Sequence, residues 1–86
     1  MYYVYVLKSR KDEKLYVGHT MDLKRRMKEH NEGLVESTKS RVPLDLMYYE
    51  ASNLLEDALK REQNLKTGYG RAYLKRRLGD LDSPRP

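Results

Sequence analysis

The run from Tyr2 to Lys8, YYVYVLK, is apolar on both sides of an extended chain: Tyr3, Tyr5 and Leu7 share one face, and Tyr2, Val4 and Val6 the other. A strand that is apolar on both faces belongs at the centre of a sheet, where each face can be covered. A chain of 86 residues has room for one small domain, which buries only about 60% of its unfolded surface and must keep its core simple. Everything after this strand therefore has to flank or cover it.

Ser9 to Glu13 reads as a polar turn and Lys14 to Gly18 as a second strand, so a β-hairpin is the economical pairing. Asp22 is a good N-cap for a helix over 22–30, in which Leu23 and Met27 are spaced i, i+4. Asn31 and Gly33 suit a left-handed helix end. Leu34 to Pro43 is irregular and polar, and Leu44 to Ala51 is a third strand. A second helix is expected to start at Asn53, with Glu56 three residues on, and to run to about Thr67 before Gly68 closes it. After Gly70 comes a short basic helix, Arg71 to Leu78, and then a frayed tail. The domain is expected to span residues 1–79 and the tail 80–86.

There is no cysteine, hence no disulfide framework and no thiolate metal site. The longest apolar run is far too short to span a membrane, so no membrane partner is expected and the expected compartment is the cytoplasm. Net charge is +5 and it is clustered. Lys8, Arg10, Lys11, Lys14, Lys24, Arg25, Arg26 and Lys28 face only Asp12, Glu13 and Asp22 within their segment. Lys66, Arg71, Lys75, Arg76 and Arg77 face no acid at all within theirs. Such clusters are either solvated faces or the footprint of a polyanion, nucleic acid being the usual one. All eight aromatic residues are tyrosines. Their hydroxyls need partners, which puts several rings at the border of core and groove.

Two places look like parts of a site. Winding residues 22 to 30 as a helix sets Arg26 and His30 beside the apolar stripe of Leu23 and Met27, directly after a strand that carries Tyr16. In the second helix Leu55, Ala58, Leu59 and Leu65 form a stripe, and Glu62 falls in its middle. A carboxylate there is costly unless paired or bound to a cation. An ion pair with Arg26, a stripe that narrows near the helix end, a metal ligand and a general base all remain open readings.

The ordered set Tyr3-Val4-Tyr5, Tyr16-Val17-Gly18, Arg26 and His30 resembles the GIY-YIG nuclease domain. Tyr16 stands eleven residues beyond Tyr5, Arg26 ten beyond Tyr16, and His30 four beyond Arg26. The match runs from about Tyr2 to Leu78 and is closest to the small stand-alone bacterial GIY-YIG proteins, in which segments like STKSRVPLDLMYYE and LKREQNLKTGYGR also occur. Tyr3 departs from the usual Gly, and Asn64 lies too close to Glu62 to match the family's later Asn.

The resemblance implies an α+β fold, a small three-stranded, mostly antiparallel sheet flanked by helices. It implies hydrolysis of a phosphodiester with one divalent cation, Mg2+ or Mn2+, carried by Glu62. Tyr16 is then the family's general base. A free phenol of pKa ~10 is only about 0.1% ionised at neutral pH, so that role needs cations nearby. His30 would accept the proton from Tyr16 or hold it, Tyr5 would orient the water or phosphate, and Arg26 would stabilise the transition state. Gly18 would give the backbone room near the phosphate, and Lys39, Arg41, Arg71 and Lys75 are the expected nucleic-acid contacts. The expected activity is an endonuclease of low sequence specificity, DNA first, directed by a partner protein where targeting is needed. The alternatives are a nucleic-acid-binding module without turnover, or an adaptor that turns its basic face to an acidic protein.

Overall fold

A computed structural model describes residues 1–79. The expected tail, 80–86, lies outside the described residues. The elements are β1 (Tyr2–Ser9), β2 (Leu15–Thr20), α1 (Leu23–Asn31), a 3-10 turn (Lys39–Arg41), β3 (Leu44–Ser52), α2 (Leu55–Leu65) and α3 (Gly68–Leu78). The fold is α+β. One antiparallel sheet has the order β2-β1-β3, so β1 is central as its two apolar faces require.

Each face of β1 anchors its own cluster. Val4 and Val6 pack with Ala58, Leu65 and Leu74 under α2 and α3. Tyr5 and Leu7 pack with Leu44 and, more loosely, with Tyr16, Leu23, Met27 and Val42 on the α1 side. The side chains of Tyr5, Leu7, Val4 and Val6 are at most 1% exposed, which is how so small a domain keeps two cores on one strand.

Asp22 caps α1 as expected, its carboxylate accepting from Arg25 N. Gly33 takes the left-handed turn at φ +74°, and Leu34 N bonds back to Glu29 O. Asn31 has a different task from the expected turn. Its amide pairs with both backbone groups of Leu44, at 2.7 and 3.0 Å, and so ties the end of α1 to the start of β3.

Besides shifts of one or two residues elsewhere, such as α2 ending at Leu65 rather than about Thr67, three boundaries differ for a clear reason. β2 continues past Gly18 to Thr20, because Tyr3 and Val4 still offer backbone partners to Thr20 and His19. α2 starts at Leu55 without a side-chain cap, and Glu56 and Asp57 in its first turn face the positive end of the helix dipole instead. α3 starts at Gly68 rather than Arg71, since the Thr67 hydroxyl accepts from Gly70 N. A Cβ at Gly70 would stand 2.3 Å from both Asn64 O and Leu65 Cα, so that glycine lets the two helices meet without a longer loop.

Candidate active site

Period-two alternation along β2 decides which residues share a face. Gly18 pairs with Tyr5 and Tyr16 with Leu7, on the α1 side; His19 pairs with Val4 and Val17 with Val6, on the α2 side. β2 is an edge strand, so groups from both faces can meet around its free side.

On the α1 side Tyr5, Tyr16, Arg26 and His30 come together. The Tyr5 hydroxyl lies 2.8 Å from His30 Nε2, and His30 Nδ1 lies 2.7 Å from Thr38 Oγ1. His30 and Thr38 are fully buried. Burial, with the Arg26 charge behind it, pushes the His30 pKa down to about 4, so the ring is neutral at physiological pH. Burial likewise raises the Tyr5 pKa, opposed by the nearby Arg26 guanidinium, which contacts Glu29 Oε1 at 3.3 Å.

Three expected roles change here. The partner of His30 is Tyr5; Tyr16 touches His30 only through a T-shaped ring contact with centroids 5.3 Å apart, and its own hydroxyl takes a 3.3 Å bond from Ser37. Tyr5 is 1% exposed, and its hydroxyl is turned to His30 rather than to a water or phosphate. Gly18 is open for Tyr5, not for a ligand: a Cβ there would be 2.6 Å from the Tyr5 hydroxyl oxygen and 3.1 Å from Tyr16 Cε2.

Glu62 reaches the same edge from the α2 side and does not pair with Arg26. Its carboxylate, on a residue only 9% exposed, meets His19 Nδ1 at 3.2 and 3.3 Å and Lys66 Nζ at 3.9 Å. Its charge still acts on Tyr5 across the strand. His19, which with His30 is too distant along the chain to suggest a zinc site, is instead the partner of Glu62. Carrying the alternation of β2 two residues beyond Gly18 would have put it opposite Val4, facing α2.

Two grooves flank the edge. One, of about 380 Å³, is lined by His19, Thr20, Arg25 and Arg26 with Asp22 and Glu29. The other, of about 260 Å³, is lined by Tyr16, Val17, Lys66 and Arg71. Arg71 therefore stands beside Tyr16, and Lys75 is exposed one helical turn further along α3. Lys39 is exposed and pairs with Glu36 at 3.1 Å. Arg41 is not available as expected: its guanidinium holds Asp12 at 2.6 and 3.3 Å and the Lys14 carbonyl at 3.1 Å, fastening the 34–43 loop to the β1–β2 turn. Among the described residues no group of three or more His, Asp or Glu is close enough to hold a metal ion.

The family model described as "GIY-YIG catalytic domain" matches residues 1–80. The chain belongs to the GIY-YIG family. It is 39% identical over 67 residues to a UPF0213 protein of Haloquadratum walsbyi, covering 77% of this chain and 74% of that one. It is 40% identical over 67 residues to one of Staphylococcus saprophyticus, covering 77% and 80%. The solution NMR structure of a UPF0213 protein from Bacillus halodurans superposes with a TM-score of 0.57 at 30% identity, covering 95% of this chain and 92% of that one. The GIY-YIG assignment supports a nuclease-type function and, with it, a nucleic-acid substrate. Among the described residues no helix is long and apolar enough to cross a membrane.

Proposed function

We propose that this GIY-YIG chain is a divalent-metal-dependent endonuclease that hydrolyses phosphodiester bonds, DNA first, with little sequence preference. The observation that carries the reading is the convergence on the β2 edge of Arg26 and Tyr16 from one face and of Glu62 with His19 from the other.

The residues fit a cation. Glu62 is a nearly buried carboxylate whose nearest lysine is at the limit of ion-pairing distance, 3.9 Å, and one carboxylate completed by waters and a substrate phosphate is an ordinary Mg2+ or Mn2+ shell. When bound there, the ion would polarise a phosphate oxygen and offset the charge that develops on it.

The chain's own groups do the rest. Arg26 supplies a cation for the phosphate oxygens, its guanidinium paired with Glu29 Oε1 at 3.3 Å. His30, neutral and tied to Thr38, fixes Tyr5 and takes no proton from Tyr16. Acting as the phenolate, its own proton having first passed to bulk water, Tyr16 accepts the proton of the attacking water as the new O–P bond forms; the bond to the leaving oxygen breaks and that oxygen takes a proton from solvent. Arg71, Lys75 and Lys39 draw the backbone along the edge, and because phosphate contacts carry no sequence information, specificity would come from a partner protein.

The test is cleavage of supercoiled plasmid, single-stranded DNA and RNA with Mg2+, with Mn2+ and with EDTA, alongside Glu62→Gln and Arg26→Ala. Metal-dependent products lost in both variants support the nuclease. Tight, salt-sensitive binding without cleavage of any substrate would overturn it in favour of a binding module.

A further inference from the structure

We propose that His19 is a second protein ligand of the catalytic cation, making the site a Glu62–His19 pair that favours Mn2+ and other transition ions over Mg2+. The inference rests on the nuclease reading only in taking Glu62 as the carboxylate of the metal site.

The spacing carries it. His19 Nδ1 stands 3.2 Å from Glu62 Oε1 and 3.3 Å from Oε2. Two neighbouring ligands of an octahedral ion, each at ~2.1 Å, lie about 3.0 Å apart. Nitrogen and carboxylate thus already stand as neighbours on one ion would. A hydrogen bond from a charged imidazole to a carboxylate usually closes to about 2.7–2.9 Å; both contacts here are longer, with the nitrogen set opposite the pair of oxygens.

Both groups are held in place before any ion arrives. Glu62 is fixed in the buried seam of α2, and His19 sits on a paired strand position opposite Val4. Among the described residues the other cation within ion-pairing distance of Glu62 is Lys66, half exposed and at 3.9 Å. The imidazole is 40% exposed and lines the groove that Arg25 and Arg26 make attractive to phosphate, which leaves the remaining coordination positions to water and substrate. Carboxylate and water alone suit Mg2+, whereas a neutral imidazole ligand shifts preference towards Mn2+, Co2+ and Zn2+.

Attribution is simple because the chain has two histidines, and both ring nitrogens of the other, His30, are taken by Tyr5 and Thr38. The experiment is Mn2+ titration of the full chain without nucleic acid, read by electron paramagnetic resonance, with spin-echo modulation reporting a directly bonded ¹⁴N. The proposal expects imidazole ¹⁴N modulation in the wild type, absent in His19→Ala and in His19→Asn. It expects His19→Ala to weaken Mn2+ more than Mg2+, with the ¹⁴N modulation separating a direct ligand from the ~10–100-fold that loss of an outer-sphere partner alone can cost. Mn2+ that binds through Glu62, being lost in Glu62→Gln, yet shows no ¹⁴N modulation would overturn the role of His19 and leave the nuclease reading standing. Mn2+ binding unchanged by Glu62→Gln would overturn both.

Discussion

The hydroxyl of Tyr5 lies 2.8 Å from Nε2 of His30, and this contact is sealed inside the α1-side core, with Tyr5 1% exposed and His30 not exposed at all. The other ring nitrogen is taken by Thr38, and the Arg26 charge stands near the phenol. A loop, a helix and the central strand are thereby joined through one neutral imidazole. Buried polar groups of this kind are costly when any member loses its partner, so the arrangement holds α1 and the 34–43 loop against the central strand.

The imidazole makes stability depend on pH. The folded pKa of about 4 lies below the ordinary value of 6.5, so as pH falls the unfolded chain takes up a proton that the folded chain refuses. The contribution is complete above pH 6.5 and is lost as pH falls through that window towards 4, a drop of about 3 kcal/mol by linkage. Urea unfolding at pH 7.5, 5.5 and 4.5 should show it. His30→Gln should be less stable at pH 7.5 and nearly flat across the same range. Asp12, held near 2 by Arg41, acts at lower pH and does not obscure the window.

Gly18 is required by Tyr5. An added methyl would press on the Tyr5 hydroxyl at 2.6 Å and its Cζ at 2.7 Å, and neither ring nor strand can move far in a packed core. Gly18→Ala should cost about 1–3 kcal/mol of unfolding free energy and shift the His30 ring resonances in an NMR spectrum. A variant as stable as the wild type with unshifted His30 signals would refute this account of the motif glycine.

Basic residues divide into those that meet phosphate and those that hold the fold. Arg71→Ala and Lys75→Ala should each reduce the slope of log binding constant against log salt by about 0.9 on duplex DNA. Arg41→Ala should leave that slope unchanged while lowering the melting temperature, because its bonds run to Asp12 and Lys14. A slope that falls in Arg41→Ala would return it to the nucleic-acid surface.

What could be read from the sequence was local in origin. The two apolar faces of Tyr2–Lys8 announce a central strand, Asp22 announces α1, and Gly33 its end. The nearness of Tyr16, Arg26 and His30 followed from a strand leading into one helix face, and Tyr5 joined them through the family resemblance. Partners were harder to foresee, because they depend on side-chain direction and tertiary contact. His30 is shared between Tyr5 and Thr38 because the 34–43 loop folds back over α1, which no periodicity reveals. Arg41 reads as an exposed cation until the β1–β2 turn brings Asp12 to it. His19 was hidden by ending β2 at Gly18, two residues early, and with it the face of the sheet on which Glu62 finds its partner.

The most direct test of the central claim is the single-turnover cleavage rate of supercoiled plasmid by wild type and Tyr16→Phe, with DNA affinity measured on the same samples. Phenylalanine keeps the ring contacts with Tyr5 and His30 and removes only the oxygen. A general base at this position predicts a fall of about 100-fold or more in rate, with affinity essentially unchanged. A rate equal to wild type would contradict the account and return Tyr16 to a structural place in the sheet.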